Sequence, residues 1–224
     1  MGSEMCIRDR ANNLEVVTEL ANGIKSVADK FGVAVIGGDL SKGEKMSLSI
    51  TALGELDRNP ILRSGAKVGD LVYVSALPGL SAAGLAILGR GLDRPRYVVE
   101  AHLNPKLTAP TELIVVANSM CDISDGVTTD GSNIAKASGV NIDLSKQLIS
   151  DAAGFSDLKE LADELGEDIF DWILSGGEDH FFLATVDPKN AKNELGFQIG
   201  VLKEGKGQVT LDGAIIQKAG YQHF

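Results

Sequence analysis

Apolar residues recur at Val17, Leu20, Ile24, Val27 and Phe31 with helical spacing, after Asn13 as N-cap and before Gly32 as a stop. Val33 to Ile36 then reads as a short buried strand leading into Gly37-Gly38-Asp39. Met46, Leu48, Ile50 and Ala52 alternate with polar neighbours, the pattern of a half-exposed strand. Between Asp57 and Gly69 the pairs Asn59-Pro60, Ser64-Gly65 and Gly69-Asp70 punctuate a connection, with a domain boundary near Ile61 to Val68. Beyond it the pattern predicts a strand over Leu71–Ala76 and a small-residue helix over Leu80–Leu88. Arg94-Pro95 breaks the chain, a short helix runs to His102, and another runs from Thr111 to about Asn118. A helix over Val127–Ala137, a strand over Val140–Leu144, an amphipathic helix over Ser156–Leu165 and a strand over Phe181–Val186 follow. Phe197–Leu202 and Val209–Ile216 read as antiparallel strands of the tail.

Composition narrows this to a compact α/β protein with many turns: 224 residues, 44% hydrophobic, 26 glycines. A net charge of −10 argues against a nucleic-acid or anionic-membrane surface, although divalent metals still allow an acidic chain to take nucleotides. No apolar run approaches the ~20 residues that span a bilayer, and no secretory leader pattern is visible. Two cysteines, Cys6 and Cys121, make no disulfide framework, so a cytoplasmic location is expected.

The first ten residues stand apart. Met5 to Arg10 matches the translation of a transposase sequencing-adapter end, so residues 1–10 are set aside as an adapter-derived scar. The natural chain is then expected to continue upstream of Ala11. The expected organisation is residues 11–60 as the end of an N-terminal domain and residues 61–224 as a C-terminal α/β domain.

The candidate chemistry centres on Met120-Cys121-Asp122-Ile123-Ser124-Asp125-Gly126, which puts two carboxylates and a hydroxyl where a buried strand meets a helix. Such a junction aims Asp122 and Asp125 outward beside free backbone N–H groups. Carboxylates at an anion-attracting end make sense when a hard cation bridges them to a phosphate. The same residues also make a good turn with an N-cap. Two further glycine–acid junctions, Gly37-Gly38-Asp39 and Ser175-Gly176-Gly177-Glu178-Asp179, raise the interest. Asp39, Asp122 and Asp125 from separate strand ends could converge on Mg²⁺, with glycines letting phosphates reach the backbone; each taken alone reads more readily as a turn aspartate. Arg63 is a candidate phosphate clamp or a solvated linker arginine. Ser124 is a phosphate contact or a helix cap, and Glu178 a substrate anchor or a turn carboxylate. Tyr221 is a stacking platform for a flat ring or an aromatic plug on the last strand. Gly200 to Gly207 nearly fits a P-loop, but Gly207 replaces the required Ser or Thr and a hairpin follows instead of a helix. No G-x-G-x-x-G, H-E-x-x-H or G-x-S-x-G is present.

Taken in order, Ile36-Gly37-Gly38-Asp39, Arg63-Ser64-Gly65-Ala66-Lys67 with Gly69-Asp70, Pro78-Gly79 with Ser81 to Leu85, His102-Leu103, Asp122 to Gly126, Ser175 to Asp179 and Gly220-Tyr221-x-His223-Phe224 resemble the thiamine-monophosphate kinase family of the aminoimidazole-ribonucleotide synthetase superfamily. The resemblance runs from about Leu14 to Phe224. It implies a mixed-sheet α/β fold: the C-terminal domain of that superfamily, preceded by the last helix and strands of its N-terminal domain. It also implies Mg²⁺-dependent transfer of a phosphoryl group from ATP to thiamine monophosphate, by a homodimer when full length. By motif, Asp39, Asp122 and Asp125 would hold metal, Gly38, Asp39, Arg63 and Ser124 would contact ATP, and Glu178 and Tyr221 would hold the thiamine moiety. No residue would act covalently; the metals and Arg63 would position the reacting oxygens. Much of the family's N-terminal domain is not in this chain, so activity of these residues alone is not expected. His180-Phe181 also stands where Tyr-Glu often follows in the family. The alternatives are a sister ATP-dependent synthetase and a non-catalytic maturation or scaffold protein of the same fold.

Overall fold

A computed structural model describes residues 2–9, 14–216 and 220. The chain divides into two compact units, Met1–Pro60 and Ile61–Phe224. In the first, helix α1 (Leu14–Phe31) accompanies a three-stranded sheet of β1 (Gly2–Asp9), β2 (Ala34–Lys42) and β3 (Ser47–Leu53) in the order β2-β1-β3. The segment set aside as an adapter scar is thus the middle strand, parallel to β2 and antiparallel to β3.

That pairing changes the reading of Gly37-Gly38-Asp39. Instead of ending a strand, these residues lie inside β2, opposite Glu4, Met5 and Cys6 of β1. A strand continues as long as a neighbour satisfies its backbone groups, and β1 carries the ladder through to Lys42. The half-exposed strand expected around Leu48 and Ile50 is exposed along its whole length as β3.

Among the described residues the second unit carries a seven-stranded sheet in the order β10-β9-β6-β8-β4-β7-β5. They are β4 (Leu71–Val74), β5 (Ala117–Ile123), β6 (Val140–Leu144), β7 (Phe181–Val186), β8 (Phe197–Glu204), β9 (Val209–Leu211) and β10 (Ala214–Ile215). Neighbours are antiparallel except β6 and β9, which run parallel. The tail strands β8 and β9 were expected to pair with each other, but β6 lies between them. Period-two alternation divides the core. Val72 and Val74 of β4 join a large cluster with Ile123, Ile134, Ile142, Leu183 and Ile199. Tyr73 faces a smaller cluster with Leu113, Ala184 and Val186. Each fully buried aliphatic side chain there contributes roughly 1.5–3 kcal/mol.

Helices α2 (Leu80–Gly89), α3 (Arg96–Leu103), α5 (Val127–Ser138), α6 (Lys146–Ser150), α7 (Phe155–Leu165) and α8 (Ile169–Ser175) all bury residues in the large cluster, with Val72 and Val74. Between α3 and β5, α4 (Leu113–Val116) is a single turn. A helix was expected to reach Asn118, yet Ala117–Ser119 is strand. Pairing with β7, and the buried Ser119–Thr185 hydroxyl contact at 2.8 Å, extend the sheet instead. Among the described residues no helix is long and apolar enough to cross a membrane.

Candidate functional site

The last residues of β5 deliver the acidic turn. Asp122 and Ile123 pair with Phe182 and Phe181 of β7, and the two chains stay joined beyond the sheet. His180 N–H donates to Ile123 O at 3.2 Å, and Glu178 N–H donates to Ser124 O at 3.0 Å. Glycine is required along this seam: a Cβ on Gly177 would strike the Ser124 carbonyl, and Gly126 (φ +104°) lies against Ser175 and Gly176. Two of the three expected glycine–acid junctions are therefore one structure.

Helix α5 starts at Gly126 without a side-chain cap. Asp130, 2% exposed, turns back from the first turn of the helix to accept the N–H groups of Ser124 and Asp125 at 3.1 and 3.0 Å. Asp130 thus caps the N–H groups of this turn. Burial holds the Asp130 carboxyl above its ordinary range. Repulsion from Asp125 and Asp122 adds to that, against the two N–H bonds. Asp122 itself is exposed and Asp125 half-buried.

Arg63 reaches the same strand. Burial, with Asp130, pushes the Cys121 thiol up to about 12. The Arg63 charge and hydrogen bond oppose the rise, and Asp122 adds to it. A guanidinium and the Asp122 carboxylate therefore share one neighbourhood. The loop carrying Arg63 is fastened by Ser138 at the end of α5, whose Oγ donates to Arg63 O at 2.9 Å and accepts from the N–H groups of Gly65 and Ala66 at 3.2 Å each.

On the other side of the seam Asp179, 4% exposed, accepts the N–H groups of Gly79 at 2.7 Å and Ser81 at 3.0 Å, fixing the loop to the start of α2. Burial raises its carboxyl, opposed by those bonds and by His180 and His102. Held between these ties, Glu178 and His180 adopt left-handed backbone (φ 66° and 54°), and Glu178 carries a 3.7 Å contact to His180 Nε2. Ser81 Oγ meets His102 Nδ1 of α3 at 3.0 Å.

Beside these ties opens a cleft of about 570 Å³, lined by Ser81, Ala82, Leu85, Ala86 and His102 from α2 and α3 and by Ser124, Ser175 to Glu178 and Gly220. Two other hollows, of about 210 and 230 Å³, contain none of the residues expected at a site. The structure thus brings Ser124 and Glu178 to one cleft, and Arg63, Asp122 and Asp125 to the strand end beside it. Gly38 and Asp39 lie in β2 of the other unit. Tyr221 lies outside the described residues, while Gly220 before it packs against the Asp125 carbonyl and Thr129 Oγ1.

Among the described residues no three His, Cys, Asp or Glu side chains are grouped to hold a metal ion. A hard divalent cation still fits the turn chemically. The mutual repulsion recorded at Asp130 marks an excess of carboxylate charge, and Mg²⁺ is commonly held by one or two carboxylates completed by phosphate and water. Asp130, Asp179 and the Ser81–His102 pair were not singled out as site residues from the sequence. An acid in the first turn of a helix was the available signal for Asp130, and it is a generic one.

A family model described as "AIR synthase related protein, N-terminal domain" matches residues 4–56. The chain is 39% identical over 211 residues to the thiamine-monophosphate kinase of Mycobacterium tuberculosis, covering 92% of this chain and 62% of that protein. It is 32% identical over 212 residues to the thiamine-monophosphate kinase of Aquifex aeolicus, covering 90% of this chain and 67% of that protein. The fold superposes on the solved structure "AaThiL complexed with AMPPCP and TMP" with a TM-score of 0.88 at 30% identity, across 100% of this chain and 73% of that one.

Proposed function

The chain belongs to the thiamine-monophosphate kinase family, and from that premise we propose that the complete protein transfers the γ-phosphoryl group of ATP to thiamine monophosphate, giving thiamine diphosphate. The observation that carries this reading is the cleft itself. Ser124, a proposed nucleotide contact, and Glu178, a proposed thiamine contact, line one opening beside the Asp122–Asp125 turn. The AaThiL structure named above holds AMPPCP and TMP, two ligands of the classes this reading requires.

In the proposed mechanism Asp122 and Asp125 would hold Mg²⁺, and Asp39 is proposed as a further metal ligand. Bound there, the metal would neutralise charge on the transferred phosphoryl and align the attacking and leaving oxygens. The chain's own groups do the rest. Arg63 faces the phosphates, Ser124 and Gly38 bond phosphate oxygens, and Glu178 and Tyr221 orient the thiamine moiety. No covalent intermediate on the protein is needed, because positioning and charge stabilisation account for most catalysis of this kind. The working form is proposed to be a cytoplasmic homodimer. The 224 residues span 62% of the M. tuberculosis relative, and we propose that they are inactive or very weak alone.

The test is turnover by the protein expressed from its complete reading frame, with thiamine monophosphate and ATP across a Mg²⁺ series. Asp122→Asn and Asp125→Asn should each lower kcat by about 100-fold or more. ADP release that ignores thiamine monophosphate or Mg²⁺ would overturn the reading. Robust turnover by the 224 residues alone would overturn the claim that they are inactive.

A further inference from the structure

We propose that His102 is a binding residue for the ring portion of the thiamine phosphate, fixed for that task by Ser81. The inference rests on the kinase reading above and concerns the α2–α3 wall of the same cleft, to which that reading gives no role.

Helix α3 reaches α2 at an unusually close crossing. A Cβ on Gly84 would sit 2.5 Å from Val98 O and 2.8 Å from the His102 Cβ, so glycine there is what lets His102 come down onto α2. One turn earlier on α2, Ser81 is 1% exposed, and its backbone N–H is already committed to Asp179. Its hydroxyl engages His102 Nδ1 at 3.0 Å. Asp179 thus sets Ser81, and Ser81 sets the imidazole. A ring with one nitrogen engaged offers its other nitrogen, as donor or acceptor according to tautomer, as its remaining polar atom. No described residue bonds Nε2, and His102 is half-buried on the lining of the cleft.

The surroundings decide what this atom reads. Ala82, Leu85 and Ala86 give the same wall an apolar surface. An apolar wall with one fixed polar edge suits a flat nitrogen-bearing aromatic ring, not a phosphate, which needs donors and charge. Glu178 lines the same cleft, and a carboxylate complements an amino group or a cationic ring.

Binding of thiamine monophosphate, unphosphorylated thiamine and AMPPCP to the protein from its complete reading frame separates the possibilities. His102→Asn keeps a polar atom near the Nδ1 position, for Ser81, and removes the Nε2 group; Ser81→Ala leaves the ring but frees it to turn. For His102→Asn, Kd for both thiamine ligands should rise about tenfold while Kd for AMPPCP changes by less than about twofold. Ser81→Ala should give a smaller rise of the same selectivity, about threefold. In turnover, KM for thiamine monophosphate should rise with kcat nearly unchanged. Unchanged thiamine affinity, or equal losses for thiamine and AMPPCP, overturns the role of His102 alone. Failure of the unsubstituted protein to bind thiamine monophosphate overturns the kinase reading and this inference with it.

Discussion

Glu178 holds an exposed carboxylate on left-handed backbone, a conformation that costs a non-glycine residue of order 1 kcal/mol or more. Its N–H bond to Ser124 O and the neighbouring anchor at Asp179 keep it there. Glu178→Gly should therefore raise stability by about 1 kcal/mol in urea unfolding while raising KM for thiamine monophosphate, opposite signs from one substitution. Asp179 has its own signature. Burial raises its carboxyl above the ordinary 3.8, so the folded chain holds that proton more tightly than the unfolded chain. The stability it contributes is complete below that value and is lost as pH rises through the raised one. Asp179→Asn removes the titration, so the variant's urea midpoint should lack the decline that the unsubstituted chain shows upward from about pH 4. A variant that declines identically would show that other groups set the slope.

At the scale of elements, the seam between the β5–α5 turn and the α8–β7 loop depends on Gly177. Gly177→Ala must displace the Ser124 carbonyl, a backbone atom, and should cost about 1–3 kcal/mol of stability. It should also raise KM for both substrates, since Ser124 and Glu178 shift together. Denaturation together with two-substrate kinetics checks this. Much of the framework was legible because it is local: α5, β6 and β7 lie where the residues alone predict a helix and two apolar strands. What was not legible is what partners decide. Gly37-Gly38-Asp39 reads as a strand end until β1 is known to pair alongside it. Asp130 reads as one more helix acid until its carboxylate is seen turned onto Ser124 and Asp125. The Ser81–His102 contact spans two helices at a glycine crossing, which no local pattern encodes.

For the molecule as a whole, the first unit bears the clearest liability. Val35, Ile36, Leu40, Leu48, Ile50 and Leu53 are all exposed on β2 and β3. Sheets with open apolar faces and edges recruit other chains. The 224-residue chain should therefore associate with rising concentration in sedimentation velocity, and Ile36→Lys with Ile50→Lys should suppress it. A monomer at every concentration would refute the expectation. The second unit carries the opposite property, because its seam continues sheet-type bonding past the end of β5. Loops beside binding openings normally trade their amide protons with solvent quickly. The Glu178 and His180 amides, tied to Ser124 and Ile123, should instead exchange at rates close to those of the β5 and β7 interior. Ligands would then enter and leave without this wall swinging open, and deuterium uptake followed amide by amide would reveal it.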